Sequence, residues 1–85
     1  MKLVQVLGTG CPQCEKLWEN AQKAVADAQI EAGIDTHLEK ITDMDVITEF
    51  GVIATPALVI DGRVQTVGRL LTADEIQQLL KAASS

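Results

Sequence analysis

Residues 2–7 form an almost unbroken apolar run, Leu3 to Leu7 with only Gln5 interrupting, and Gly8-Thr9-Gly10 then breaks it. A strand that is continuously apolar rather than alternating must be covered on both faces. With 85 residues the chain has room for one domain, residues 1–85, so the covers must come from its own helices. A chain this size hides only about 60–65% of its unfolded surface on folding, so the core is small. The apolar fraction is 47% with one Trp, one Phe and no Tyr, which leaves Val, Ile, Leu and Ala to build that core. These limits favour an α/β domain.

The rest of the chain supplies the covers. From Pro12 to about Ala32, apolar residues recur at helical spacing (Leu17, Ala21, Ala24, Val25, Ala28, Ala32), and Gly33 is a C-terminal stop. Ile34 to Ile41 then suits a second strand, reached through a helical crossover and therefore parallel to the first. Thr42-Asp43-Met44-Asp45 offers an N-cap and first-turn acids, and Met44, Ile47 and Phe50 supply one apolar face of a short helix before Gly51. Pro56 opens the apolar run Ala57 to Ile60, Asp61-Gly62 is a two-residue hairpin turn, and Val64 to Val67 returns as an antiparallel partner. Thr72-Ala73-Asp74-Glu75 is a capping box, with Leu71 placed to staple onto Ile76 and with Leu79 and Leu80 continuing the stripe of a last helix. That helix is predicted to end near Lys81, with Ala82 to Ser85 fraying. The order is βαβαββα, a four-stranded mixed sheet flanked by three helices.

Charge and hydropathy remove several classes of function. A net charge of −5 cannot neutralise a run of phosphates, so a nucleic-acid binder is not expected. No stretch approaches the ~18 apolar residues of a membrane span, and the N-terminal run is too short for a signal-peptide core. A cytoplasmic protein is the expectation. Two cysteines three positions apart close too short a loop to remove much unfolded-state entropy, so the pair is read as reactive rather than structural.

Cys11-Pro12-Gln13-Cys14 falls where the first strand hands over to the first helix. Cys11 is predicted at the N-cap, Pro12 at the first helical position, where a missing N–H costs nothing, and Cys14 one turn in. A sulfur at an N-cap receives first-turn N–H groups and sits at the positive end of the helix dipole, which favours thiolate over thiol. Cys11 is therefore the expected nucleophile. A second thiol one turn away can attack the resulting mixed disulfide, which gives Cys14 the resolving role. Structural zinc needs four ligands, and beyond the cysteines His37 is the only other good candidate. A soft-metal or metalloid carrier, in which the same two thiolates hold an ion, stays open as the alternative, as does a redox-switched interaction module.

The βαβαββα order, the Cys-x-x-Cys pair at the start of helix one and Thr55-Pro56 before the hairpin together resemble the thioredoxin/glutaredoxin superfamily. Gly8-Thr9-Gly10-Cys11-Pro12-Gln13-Cys14 and Ala54-Thr55-Pro56-Ala57-Leu58-Val59-Ile60-Asp61-Gly62 are similar to segments of its small prokaryotic members, called redox-active disulfide proteins or glutaredoxin-like thioredoxins. The resemblance implies a thioredoxin-like fold and a thiol–disulfide oxidoreductase, specifically a protein-disulfide reductase. It also implies a cis Pro56 beside the cysteines and a substrate groove formed by Thr55, Pro56, Pro12, Gln13 and Gly68. No dissociable cofactor and no metal are expected. Disulfide-containing proteins are the expected substrates, a flavin-dependent thioredoxin-reductase-type protein the expected electron donor, and a monomer the expected state.

Three departures from thioredoxin stand out. Gly10 takes the place of the Trp that usually precedes the first Cys, Pro12-Gln13 replaces Gly-Pro, and Gln5 occupies the position of a proton-relaying Asp. Gln5 hydrogen-bonds but does not titrate, so protons must move through water or another group. Val67-Gly68-Arg69-Leu70-Leu71-Thr72 lacks the Gly-Gly and Asp with which glutaredoxins hold glutathione. Trp18 is read as a packing residue, His37 as a solvated edge-strand residue, Glu15 and Lys16 as tuning the local field, and Arg63 and Arg69 as hairpin surface.

Overall fold

The computed structural model describes residues 2–84. The chain runs β1 (Lys2–Leu7), α1 (Pro12–Ala32), β2 (Thr36–Ile41), α2 (Met44–Glu49), β3 (Ala57–Ile60), β4 (Arg63–Val67) and α3 (Ala73–Ser84). The four strands form one sheet in the order β2-β1-β3-β4. β2 lies parallel to β1, as the helical crossover requires, while β3 pairs antiparallel with both β1 and β4. This is the α/β thioredoxin-like arrangement expected from the sequence.

The unbroken apolar run of β1 is explained by two cores. Val4 and Val6 face one way, and with Leu58 and Ile60 they pack under Leu17, Ala21, Ala24 and Ala28 of α1 and Ile76 and Leu80 of α3. Leu7, Ala57 and Val59 face the other way, onto Ile47 of α2 and Val52. Both strands are central, so both of their faces are needed. Ala21, Ala24 and Ala28 let α1 lie close to the sheet, and they and Leu17 are fully buried.

Local chemistry sets the boundaries. Gly33, at φ 65°, closes α1 in the left-handed conformation that glycine adopts without steric cost. Asp61 (φ 50°) and Gly62 (φ 80°) form the turn of the β3–β4 hairpin, both with the positive φ of a type I′ turn. The capping box closes reciprocally: Thr72 N donates to Glu75 Oε1 and Glu75 N donates to Thr72 Oγ1, each at 3.1 Å. Leu71 and Ile76 are buried in one cluster, as the staple requires.

Some expectations fail for identifiable reasons. β2 begins at Thr36 rather than Ile34, because Ile34 N donates to Ala28 O and still belongs to the cap of α1. Ala32 is exposed, lying past the last helical turn that the sheet covers. Met44, placed on the apolar face of α2, is 54% exposed, and that face is carried by Ile47, the only buried side chain of α2, with Phe50 packed beside it just past the helix end. α3 continues beyond Lys81 to Ser84, since Ala82 and Ala83 carry no stop and Lys2 Nζ donates to Ala83 O at 2.7 Å. Ser85 lies outside the described residues. The hairpin also holds a bulge: Leu58 pairs with Thr66 and Val59 with Val64, leaving Gln65 as an extra residue on edge strand β4.

Candidate active site

Gly8-Thr9-Gly10 carries the chain from the end of β1 to the start of α1, with Gly10 at φ 95°. Cys11 is the N-cap of α1, in extended conformation at φ −66° and ψ 160°, and Pro12 opens the helix. Cys14 N donates to Cys11 Sγ at 3.1 Å, the N-cap bond that a Ser or Asp oxygen would otherwise accept. The two cysteines are disulfide-bonded with Cα atoms 5.0 Å apart, a separation within the ordinary range for such a bridge. Cys11 is half-buried and flanked by exposed Pro12 and Gln13, whereas Cys14 is 2% exposed.

The sheet brings a second segment to the same end. Leu7, the last residue of β1, pairs with Ala57, the first of β3, so Pro56 stands one residue beyond the pairing on the side where the cysteine loop leaves the sheet. The Thr55–Pro56 bond is cis, and Pro56 is fully buried. Gly68 N donates to Pro56 O at 2.7 Å, which ties the end of β4 to this segment. Thr55 is half-buried and Gly68 exposed. Pro12, Gln13, Thr55, Pro56 and Gly68 therefore all lie at the end of the sheet that carries the cysteines.

Other candidates take subsidiary places. Gln5 Nε2 donates to Glu39 Oε1 at 3.1 Å, a bond across the β1–β2 pair. His37 lies on edge strand β2, more than half exposed, 3.4 Å from Glu39. Trp18 packs against the larger core, and Lys40 Nζ stands 5.6 Å from its ring centroid while pairing with Glu15 at 2.8 Å. Lys16 pairs loosely with Glu19. Arg63 opens β4, but Arg69 reaches past the hairpin to Glu75, 3.6 Å away in the first turn of α3.

Sequence reasoning missed the part played by Gly8. It is buried, and a methyl group on its Cα would stand 2.6 Å from Cys14 Sγ and 2.7 Å from Cys14 Cβ. In the sequence, Gly8 is one of two glycines punctuating a turn, and nothing local distinguishes it from Gly10, which has no neighbour within 4 Å of the same position.

A half-buried sulfur capping a helix, bonded to a buried sulfur one turn inside, on a sheet of this topology, is the site of a thiol–disulfide oxidoreductase. A family model described as a thioredoxin domain matches residues 2–81. The chain is 42% identical over 80 residues to a thioredoxin of Methanothermobacter thermautotrophicus, covering 94% of this chain and 99% of that protein. It is 37% identical over 82 residues to a thioredoxin of Methanocaldococcus jannaschii, covering 96% and 90% respectively. Among solved structures, the N-terminal domain of Synechococcus elongatus SasA superposes with a TM-score of 0.74 over 99% of this chain and 85% of that one, at 18% identity, a likeness of fold alone. The chain belongs to the thioredoxin family, and it is a protein-disulfide oxidoreductase of the thioredoxin type.

Proposed function

We propose that this protein is a protein-disulfide reductase in which Cys11 attacks and Cys14 resolves. The observation that carries the assignment is the unequal access of the two sulfurs, Cys11 half-buried at a helix N-cap and Cys14 2% exposed behind it. In the reduced protein the Cys11 thiolate attacks one sulfur of a partner's disulfide. The partner's S–S bond breaks, a mixed disulfide forms, and the departing partner thiolate takes up a proton. Cys14 then loses its proton and attacks Cys11 Sγ. The Cys11–Cys14 bond forms, and the partner leaves with both of its thiols, having gained two electrons and two protons.

Pro12, Gln13, Thr55, Pro56 and Gly68 shape the groove that receives the partner's backbone, with Thr55 offering main-chain groups for a short β-like pairing. Their common position at the cysteine end of the sheet supports this assignment. A flavin-dependent reductase of the thioredoxin-reductase type returns electrons to the pair, because the segment from Val67 to Thr72 has no Gly-Gly and Asp to hold glutathione. The protein acts as a cytoplasmic monomer, with residues 1–85 as one domain. No helix among the described residues is long and apolar enough to cross a membrane. In the carrier alternative the same two thiolates would hold a soft metal or metalloid ion, and a metal-affinity measurement on the reduced protein beside its redox titration separates the two readings.

Single-cysteine variants test the roles. Cys14→Ser is expected to accumulate mixed disulfides with protein partners, visible as thiol-sensitive bands on non-reducing gels, and Cys11→Ser to accumulate none. Trapping by Cys11→Ser instead would reverse the assignment.

A further inference from the structure

We propose that Gly8 is a positioning residue for the redox pair: its missing side chain is the space that Cys14 occupies, and this vacancy favours the disulfide over the dithiol. The inference rests on the reading that Cys11 and Cys14 cycle between the two states.

A methyl added at the Gly8 Cα would overlap Cys14. It would lie 2.6 Å from Cys14 Sγ and 2.7 Å from Cys14 Cβ, well inside contact distance, with Cys14 Cα a further 1 Å off at 3.7 Å. Neither partner is free to retreat. Gly8 N donates to Ile41 O at 2.9 Å, which pins Gly8 to the end of β2, and Cys14 belongs to α1, whose next inward residue, Leu17, is fully buried. Gly8 does not have a positive φ, in contrast to Gly10 at 95°, so an alanine there is acceptable to the backbone and acts through this contact alone.

The two clashes differ in how they depend on redox state. Cys14 Cβ is fixed by the helix, so its overlap with the methyl is the same whether the sulfur is oxidised or reduced. Sγ is different. In the disulfide it is tied to Cys11 Sγ and cannot turn away, whereas the free thiol can rotate about Cα–Cβ to another staggered position. Overpacking at Gly8 therefore falls more heavily on the disulfide, and the native glycine makes the oxidised state easier to reach.

The test measures the thiol–disulfide equilibrium of wild type and Gly8→Ala in dithiothreitol redox buffers. One dithiothreitol is oxidised to its cyclic disulfide for each Cys11–Cys14 bond reduced, so two electrons pass per turnover. Gly8→Ala is expected to shift the equilibrium toward the dithiol roughly tenfold, about 30 mV for a two-electron couple. It is also expected to lower the urea midpoint more in the oxidised protein than in the reduced one. An unchanged equilibrium, or an equal loss of stability in both states, would overturn the inference. A wild-type disulfide that dithiothreitol cannot reduce would instead defeat the cycling on which it rests. Should oxidised Gly8→Ala not fold, excess dithiothreitol is expected to restore folding, because the free Cys14 thiol can turn away from the methyl. A variant that stays unfolded in both redox states would overturn the inference.

Discussion

The two ends of the sheet are built by opposite rules. At the hairpin end, polar groups are paired across elements distant in sequence. Asp61 Oδ1 accepts from Leu3 N at 2.9 Å, Asp61 N donates to Leu3 O at 2.8 Å, and Lys2 Nζ reaches both Asp61 Oδ2 and Ala83 O. At the cysteine end, the Cys11–Cys14 bond and the Lys40–Glu15 pair stand beside a removed side chain and exposed apolar surface. Gly8 yields its space to Cys14, Cys11 stays half-buried, and Ile53 and Leu70 are 97% and 42% exposed on the flanking segments. One end holds the strands and terminal helix together, while the other leaves a sulfur and apolar surface accessible to a partner. The contrast shows that a domain this small separates stability from reactivity along its strands.

That separation can be broken most severely from beneath the reactive end. Ile47 is the only buried side chain of six-residue α2, and so short a helix has little stability of its own. Ile47→Ala is expected to cost about 2–5 kcal/mol in urea unfolding. If the loss is below 1 kcal/mol, α2 is held by something other than its packing under Leu7 and Val59.

A smaller effect sharpens the contrast from the hairpin end. The Asp61 carboxylate is held below its ordinary value first by the hydrogen bond from the Leu3 backbone and then by Lys2. Because the folded value is the depressed one, its contribution is present above the unfolded pKa of about 3.9 and is lost as pH falls through the folded value. Asp61→Asn keeps an oxygen for Leu3 N and tolerates the left-handed turn, so it removes the charge rather than the bend. The variant is expected to flatten the decline of stability below about pH 4 and to leave disulfide reduction at neutral pH unchanged. Reduced turnover would mean that the two ends are coupled. Glu75, lowered first by the Thr72 backbone bond, has the same sign and contributes in the same direction.

How much of this was legible in sequence follows the range of the interactions involved. β1, α1, the Asp61-Gly62 hairpin and the Thr72–Glu75 box are written in neighbouring residues, through periodicity, glycine conformation and cap chemistry. So is the N-cap position of Cys11, because strand, Gly-rich break and Pro12 adjoin it. What was hidden depends on contacts between distant segments. Met44 matches the helical pattern, yet it lies at the start of α2 where the sheet no longer covers it. The bulge at Gln65 comes from the β3–β4 register, and Lys2 supports the last turn of α3 from 81 residues away in the chain. Gly8 is the clearest case: its composition suggests a turn, whereas its role depends on a sulfur that the helix returns to it.

On the proposed mechanism Cys11, the accessible sulfur at the N-cap, is the reactive one. In the reduced protein, thiolate absorbance followed against pH, with Cys14→Ser and Cys11→Ser used to separate the two groups, tests it most directly. The helix N-terminus and its N–H groups are expected to bring Cys11 well below the ~8.5 of a free thiol. Cys14, buried and beside an existing negative sulfur, is expected to titrate above Cys11. A Cys11 that titrates at or above the free-thiol value, or above Cys14, would contradict the account.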